Sequence, residues 1–371
     1  MLTYLGIFVF GIALFSIGTF FRDKGLKILH WIFRFGSLIE LSYFAAIRAD
    51  SVGTDVLFYM KPSFDYAALY HTFFEYWQHY HFELFYALLS YYVQKMTQNS
   101  VVFFFILMAI AVFFIILFID TEKESLDSNL AFCIFVFGFY NLGLNYSRQM
   151  IAIAILLFAQ RYLVKDDLLR FCFWLVIAFL FHRSSVIILM LIPLYYSYKL
   201  RPEMRSNLSL LFIGVFVFLL LFYNKIITVL ISVGVLGAKY AVHLSTGLSI
   251  PVVITIFHLF LLGVSLALLH SNKIEFKYRT YYVEICIFDF CLLLIGFLSD
   301  TAYRLELFTF ILVAVMILPV AFKAVAYGTM QGIVWKMLII SAFVLFWYIS
   351  VVVQNEGQTY PYLTVNSQLV R

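Results

Sequence analysis

Four arginines, Arg48, Arg148, Arg183 and Arg304, stand at the edges of hydrophobic segments. Lys and Arg of membrane proteins gather in cytoplasmic loops, so guanidiniums on the opposite side are expected to serve something anionic. The topology developed below puts all four outside. An arginine fork binds phosphate and carboxylate bidentately, which makes a diphosphate-bearing substrate at the outer face the first expectation. Arg148 is the foremost candidate, with Asn141, Asn145, Tyr146 and Gln149 close in sequence. His182 precedes Arg183 and Ser184, and an imidazole titrates near neutrality, as proton transfer requires. Asp55 ends a Gly53-Thr54-Asp55 turn, where it either caps the next segment or meets substrate.

These residues hang on a polytopic all-α framework. The chain has 371 residues, 64% hydrophobic, 20% aromatic and only 12% charged, with mean hydropathy +0.98. Apolar runs such as Val101 to Ile119 and Met337 to Val353 approach or reach spanning length, whereas a membrane barrel would alternate in short segments. Spans are expected near 2–21, 28–47, 100–119, 129–146, 149–164, 168–182, 184–199, 207–224, 251–270, 281–298, 304–323 and 331–352, about twelve in all. Leu2 to Phe21 is too long for a signal-peptide core and lacks a basic stretch before it, so it reads as the first span. Phe82 to Met96 falls short of a ~30 Å hydrocarbon layer and carries Glu83, Gln94 and Lys95, so a re-entrant or interfacial helix is expected there.

Leaving that helix out of the count collects Arg22, Lys24, Lys27, Arg161, Lys165, Arg170, Lys199, Arg201, Arg205, Lys273, Lys277 and Arg279 on the cytoplasmic side. The acidic loop 120–128 is the exception. The whole chain then forms one integral membrane domain, 1–371, with both termini outside. Two outer segments are long enough to carry a site, 48–99 with its short helix and 225–250. The formal charge of +5 reflects orientation, and no nucleic-acid motif accompanies it.

Each residue has a plainer reading. Arg148 could snorkel to headgroups, and Arg304 could pair with Asp300 four residues earlier, while Glu306 at i+2 lies on the wrong face. Ser184 caps the helix after it. The run Tyr59, Tyr66, Tyr70, Phe73, Tyr76, Trp77, Tyr80 fits an interfacial belt better than a sugar platform. Arg34 and Glu40, inside the second span, must each find a partner elsewhere. His71, His79 and His81 match no compact metal-ligand spacing, and Cys133, Cys172, Cys286 and Cys291 read as packing residues, so no metal site and no cofactor are expected.

Taken in order, Arg48-Ala-Asp-Ser-Val-Gly-Thr-Asp55 with Tyr59, Glu83 opening its short helix, Arg148-Gln149, His182-Arg183-Ser184 and Tyr303-Arg304 ahead of Leu307-Phe308 resemble the EpsG-like branch of the Wzy-type bacterial polysaccharide polymerases. Leu84 and Phe85 replace the glycine and proline common after the Glu83-type position, and Phe308 replaces a common tyrosine. The resemblance implies a GT-C-like membrane enzyme of the bacterial cytoplasmic membrane that polymerises O-antigen or capsule repeat units at the outer face. Donor and acceptor would both be oligosaccharides on undecaprenyl diphosphate, joined without a metal and with inversion, and a chain-length regulator is a further candidate partner. Asp55, Glu83 or His182 would supply the general base. Arg48, Tyr59, Arg148, Gln149, Arg183, Ser184, Tyr303 and Arg304 would bind substrate. Against this stand a lipid-linked oligosaccharide flippase, disfavoured by the lack of an internal repeat and by candidates clustered at one face, and a ligase with the same leaving group. A purely structural or interaction protein would not explain several arginines held at one outer face.

Overall fold

The computed structural model describes residues 1–233, 252–270, 273–297 and 300–365, and these are helical throughout, with a single antiparallel bridge, Arg48 to Thr364. In chain order the α-helices are α1 (Leu2–Asp23), α2 (Lys27–Ala46), α3 (Lys61–Tyr66), α4 (Phe73–Tyr80), α5 (Leu84–Thr97), α6 (Ser100–Thr121), α7 (Ser128–Asn145) and α8 (Ser147–Leu163). Next come α9 (Leu168–Phe181), α10 (Leu191–Tyr196), α11 (Pro202–Ser232), α12 (Val252–Leu269), α13 (Phe276–Gly296), α14 (Asp300–Ile311), α15 (Leu318–Ala326) and α16 (Met330–Trp347). A wider π-type stretch, Leu312–Ile317, joins α14 to α15.

Among the described residues, six helical segments are long and apolar enough to cross a membrane: Leu2–Asp23, Ser100–Thr121, Ser128–Asn145, Val252–Leu269, Tyr303–Ala326 and Met330–Val353. A seventh arises if the bent pair Leu210–Leu219 and Leu221–Ser232 is one span. Twelve are expected from the sequence. Helix occupies most of each expected position, but several helices are too short or too polar to qualify alone. At 184–199 the expected span is instead a run of 3-10 turns, Arg183–Met190, followed by the six residues of α10. Pro193 lies there, and it lacks the N–H that a regular helix needs. The 225–250 segment, expected as a loop, begins inside α11 as far as Ser232, and 234–250 lie outside the described residues. Segment 48–99 is largely helical, and α5 has 14 residues, about 21 Å of rise.

The chain divides into two compact units, 1–186 with 326–371, and 187–325. In the first, α1 and α2 form a hairpin that packs on α6 and α7, and α8 packs between α6 and α9. Several of its polar groups are matched internally, although the buried carboxyl of Glu40 in α2 makes no hydrogen bond. Arg34, 1% exposed, grips Asp120 with Nε at 2.9 Å and Nη2 at 2.7 Å, while Arg22 Nη1 and His30 Nε2 approach the same carboxylate at 3.2 Å. Asp127 binds Lys336 of α16 at 2.7 Å. Asp120 and Asp127, two of the acidic residues that break the charge pattern, are thus paired with cations from other helices. The C-terminal segment after α16 returns over the end of α2. Ala49 donates to Leu363 O at 2.8 Å, Gly53 to Gln358 O at 3.0 Å, and the Tyr4 hydroxyl to Thr359 O at 2.6 Å. In the second unit α13 packs against α10, α12 and α14.

Candidate active site

Glu83 is the hub of the first unit's polar site. It stands at the N-cap of α5, its Oε2 accepting from Arg148 Nη1 at 2.6 Å. Its Oε1 faces His182 Nδ1 at 3.5 Å and the Arg183 backbone N–H at the same distance. Three chain regions converge here: the entry to α5, the first turn of α8, and the break after α9, where His182 turns extended and ends the helix. The rings of Phe82 and Tyr86 lie 5.0 and 5.2 Å from the Arg148 guanidinium carbon, a cation–π seat that fixes its plane. Side-chain exposures of 23% for Arg148, 11% for Glu83 and 16% for His182 leave the group reachable but poor in water. Burial alone would push the Glu83 carboxyl up, yet the His182 hydrogen bond and the Arg148 charge outweigh it and hold the carboxyl well below the usual carboxylate range.

Asp55 belongs to the same unit, and its charge also acts on Arg148. Its position is set by Asn145, whose Oδ1 accepts from the Asp55 N–H at 2.8 Å and from Thr54 Oγ1 at 3.1 Å. Gly53 permits that close approach, with φ of +101° and Asn145 Oδ1 only 3.4 Å from where a Cβ would sit. Tyr59 is 54% exposed, Arg183 is exposed, Ser184 is half-buried and Gln149 is buried in α8.

Arg48 departs from expectation. It is 2% exposed, and its guanidinium donates to Ala45 O and, at 3.2 Å, to Leu144 O, above the Phe104 ring at 4.6 Å. Sequence shows a cation at a segment edge, but the C-terminal segment folds over that edge and makes Arg48 an internal tie between α2 and α7. The tyrosine run also differs. Tyr76 is fully buried with Ala67, Ala87 and Tyr91, surrounded by Tyr70, Phe73, Trp77, Tyr80 and Phe82 as a small core of its own. Asn145, Phe82 and Tyr86 are site residues to which sequence alone assigns no role. The nearness of Asn145 to Arg148 along the chain is the one signal that points to any of them.

Tyr303 and Arg304 lie half-buried in α14 of the second unit. The Asp300 side chain, the partner in the plainer reading of Arg304, lies outside the described residues. That unit also holds an apolar cavity of about 350 Å³, walled by Phe216, Tyr223, Phe288, Leu292 and Leu305, with Glu284 among its lining.

The EpsG family model matches residues 30–364. The chain belongs to the EpsG family. No curated protein and no solved structure matches it. As an EpsG-family membrane protein of several apolar helices, it is consistent with a polysaccharide polymerase in general. Arg148, Glu83, His182, Arg304 and the Asp55 turn all fall within the matched residues.

Proposed function

We propose that this EpsG-family chain joins lipid-diphosphate-linked oligosaccharide repeat units at the outer face of the bacterial cytoplasmic membrane. The reaction is a metal-independent, inverting glycosyl transfer, catalysed within a GT-C-like bundle of about twelve spans. The observation that carries this reading is the grouping of Arg148, Glu83 and His182 in one mostly buried but reachable cluster. An acceptor hydroxyl oxygen attacks the donor's anomeric carbon, the bond from that carbon to the diphosphate oxygen breaks, and the hydroxyl proton passes to His182. Arg148 meets the charge gathering on the leaving diphosphate. Glu83 takes one of its nitrogens and the Phe82 and Tyr86 rings fix its plane, so the cation is preorganised where charge develops, and it needs no rearrangement during the step.

Glu83 itself is a weak base in this setting, being held ionised by its partners. It serves better by turning His182 Nδ1 toward itself, which leaves Nε2 as the nitrogen that takes the acceptor proton. Asp55 and Tyr59 contribute sugar contacts, Gln149, Arg183 and Ser184 border the cluster, and Tyr303 and Arg304 of the second unit are further substrate-binding candidates.

The test is the surface-polysaccharide ladder of cells lacking the gene, complemented with wild type or Arg148→Ala at matched membrane levels. Loss of the ladder with a single repeat unit still at the surface supports polymerisation through Arg148. Absence of single repeats as well means that export or ligation has failed, and a flippase or ligase replaces the polymerase. A ladder of unchanged length and amount in Arg148→Ala removes Arg148 from the reaction.

A further inference from the structure

The second unit contains a buried polar group that the proposed reaction does not use. His258 of α12 lies between two carboxylates. Its Nε2 is 2.5 Å from Asp289 Oδ2 of α13, and its Nδ1 is in ion-pair contact with Glu306 Oε1 of α14. Thr309, one turn beyond Glu306, donates its hydroxyl to Asp289 Oδ1 at 2.6 Å. Phe310 stacks on the imidazole with ring centres 4.1 Å apart. All three ionisable side chains are 0% exposed. They lie within apolar helices, and His258 is about 9 Å along α12 from its first residue.

Counting protons exposes an imbalance. A neutral imidazole carries one N–H, but here both ring nitrogens face carboxylate oxygens, and each facing pair needs a hydrogen between its lone pairs. Two ring protons make an imidazolium, and with two carboxylates the trio has a net charge of −1. No lysine or arginine among the described residues pairs with Asp289 or Glu306, whose ion-pair partner there is His258. An uncompensated charge sealed inside a membrane unit is unfavourable, and ionisable residues at such depth usually mark a proton or ion site. The two carboxylates are not equivalent. Both oxygens of Asp289 accept hydrogen bonds, from His258 and Thr309, whereas both oxygens of Glu306 are buried without a hydrogen-bond partner, Oε1 being only in ion-pair contact with His258 Nδ1.

We propose that His258, Asp289 and Glu306 form a proton-binding site in which Glu306 is held as a carboxylic acid, its proton on Oε2, beside an Asp289–His258 ion pair. The occupied site is neutral, and it ties α12, α13 and α14 together two residues beyond Arg304. Loss of the proton restores the net negative charge and loosens the start of α14. The thiols of Cys286 and Cys291 on α13 also lie within electrostatic reach of Asp289. The proton content of the trio is independent of whether the chain is a polymerase.

Infrared difference spectroscopy on the purified full-length protein in lipid nanodiscs at pH 7 tests it. The expected result is a carboxylic-acid carbonyl band that moves down in D2O, disappears in Glu306→Gln and persists in Glu83→Gln. Identical carbonyl regions for wild type and Glu306→Gln would overturn the proposal. Thermal melts give an independent readout. Because Gln mimics the neutral acid, Glu306→Gln is expected to stay within about 2 °C of wild type, while Asp289→Asn, which strips the imidazolium of its anion, falls by more than about 5 °C. Wild type is also expected to lose melting temperature at alkaline pH more steeply than Glu306→Gln. Equal falls in the two amide variants would mean that Glu306 is an anion, and the proposal would fail.

Discussion

If Glu83 acts by holding Arg148, then removing either should spoil the other's contribution, and the two effects should not add. The contact is 2.6 Å, with side chains 23% and 11% exposed. It therefore falls between an exposed pair, worth about 0.2–1 kcal/mol, and a sealed pair, whose rupture costs about 3–5 kcal/mol. Partial screening places the coupling at roughly 2 kcal/mol. The cycle comprises wild type, Glu83→Ala, Arg148→Ala and the double variant. Each single variant is expected to lower the melting temperature in detergent by several degrees, since about 1 kcal/mol moves a larger protein by roughly 2–4 °C. The double variant is expected to fall short of the sum by the coupling term. Polymerisation should obey the same logic more sharply. Losing a preorganised donor removes on the order of 10²–10³ in rate, and a misplaced one is nearly as harmful. The double variant should consequently be no slower than Arg148→Ala. Additive losses in both assays would refute the reasoning, because Glu83 would then act without Arg148, as an independent base or as a structural residue.

Three further outcomes rest on named contacts. The Glu83 carboxyl is depressed in the folded protein, so its stabilising contribution is complete above its unfolded value of about 4.3 and is lost as pH falls below it. Melting temperature between pH 5 and pH 3 should accordingly drop more for wild type than for Glu83→Gln, and parallel curves would contradict the assignment. Arg48→Met should destabilise by about 2–4 kcal/mol in thermal or denaturant unfolding, because the carbonyls of Ala45 and Leu144 lose their donor inside the fold. Arg48→Lys, which lacks the fork, should not restore it. Gly53→Ala should cost about 1–3 kcal/mol, since φ is +101° and the added carbon would meet Val56 Cγ2 at 3.2 Å. Gly214→Ala, with nothing within 4 Å, is the matched control and should be neutral or slightly stabilising in the same melt.

The contrast between Arg148 and Arg48 explains what the sequence could disclose. Both are cations at segment edges, and the charge rule reads them alike. What separates them is long-range closure: Arg148 meets Glu83, 65 residues earlier, at a place that stays partly exposed, whereas Arg48 is sealed by backbone from residues 363–365. Hydrophobic run length is a local property, so α6 and the segment Met330–Val353 are legible to within two residues. Pairing is not local. Arg34 finds Asp120 across 86 residues, at the end of α6, where the acidity looks anomalous without its partners. His258, Asp289 and Glu306 escape a sequence reading for the same reason, since they lie far apart along the chain, His258 and Asp289 each alone in an apolar run and Glu306 beside Arg304. Isolated charges in apolar helices have to be compensated, so a sequence can announce that such partners exist while leaving their identity to the fold. On that ground the single carboxylates and histidines within spans, more than the loop cations, are where an EpsG-family chain should first be searched for function.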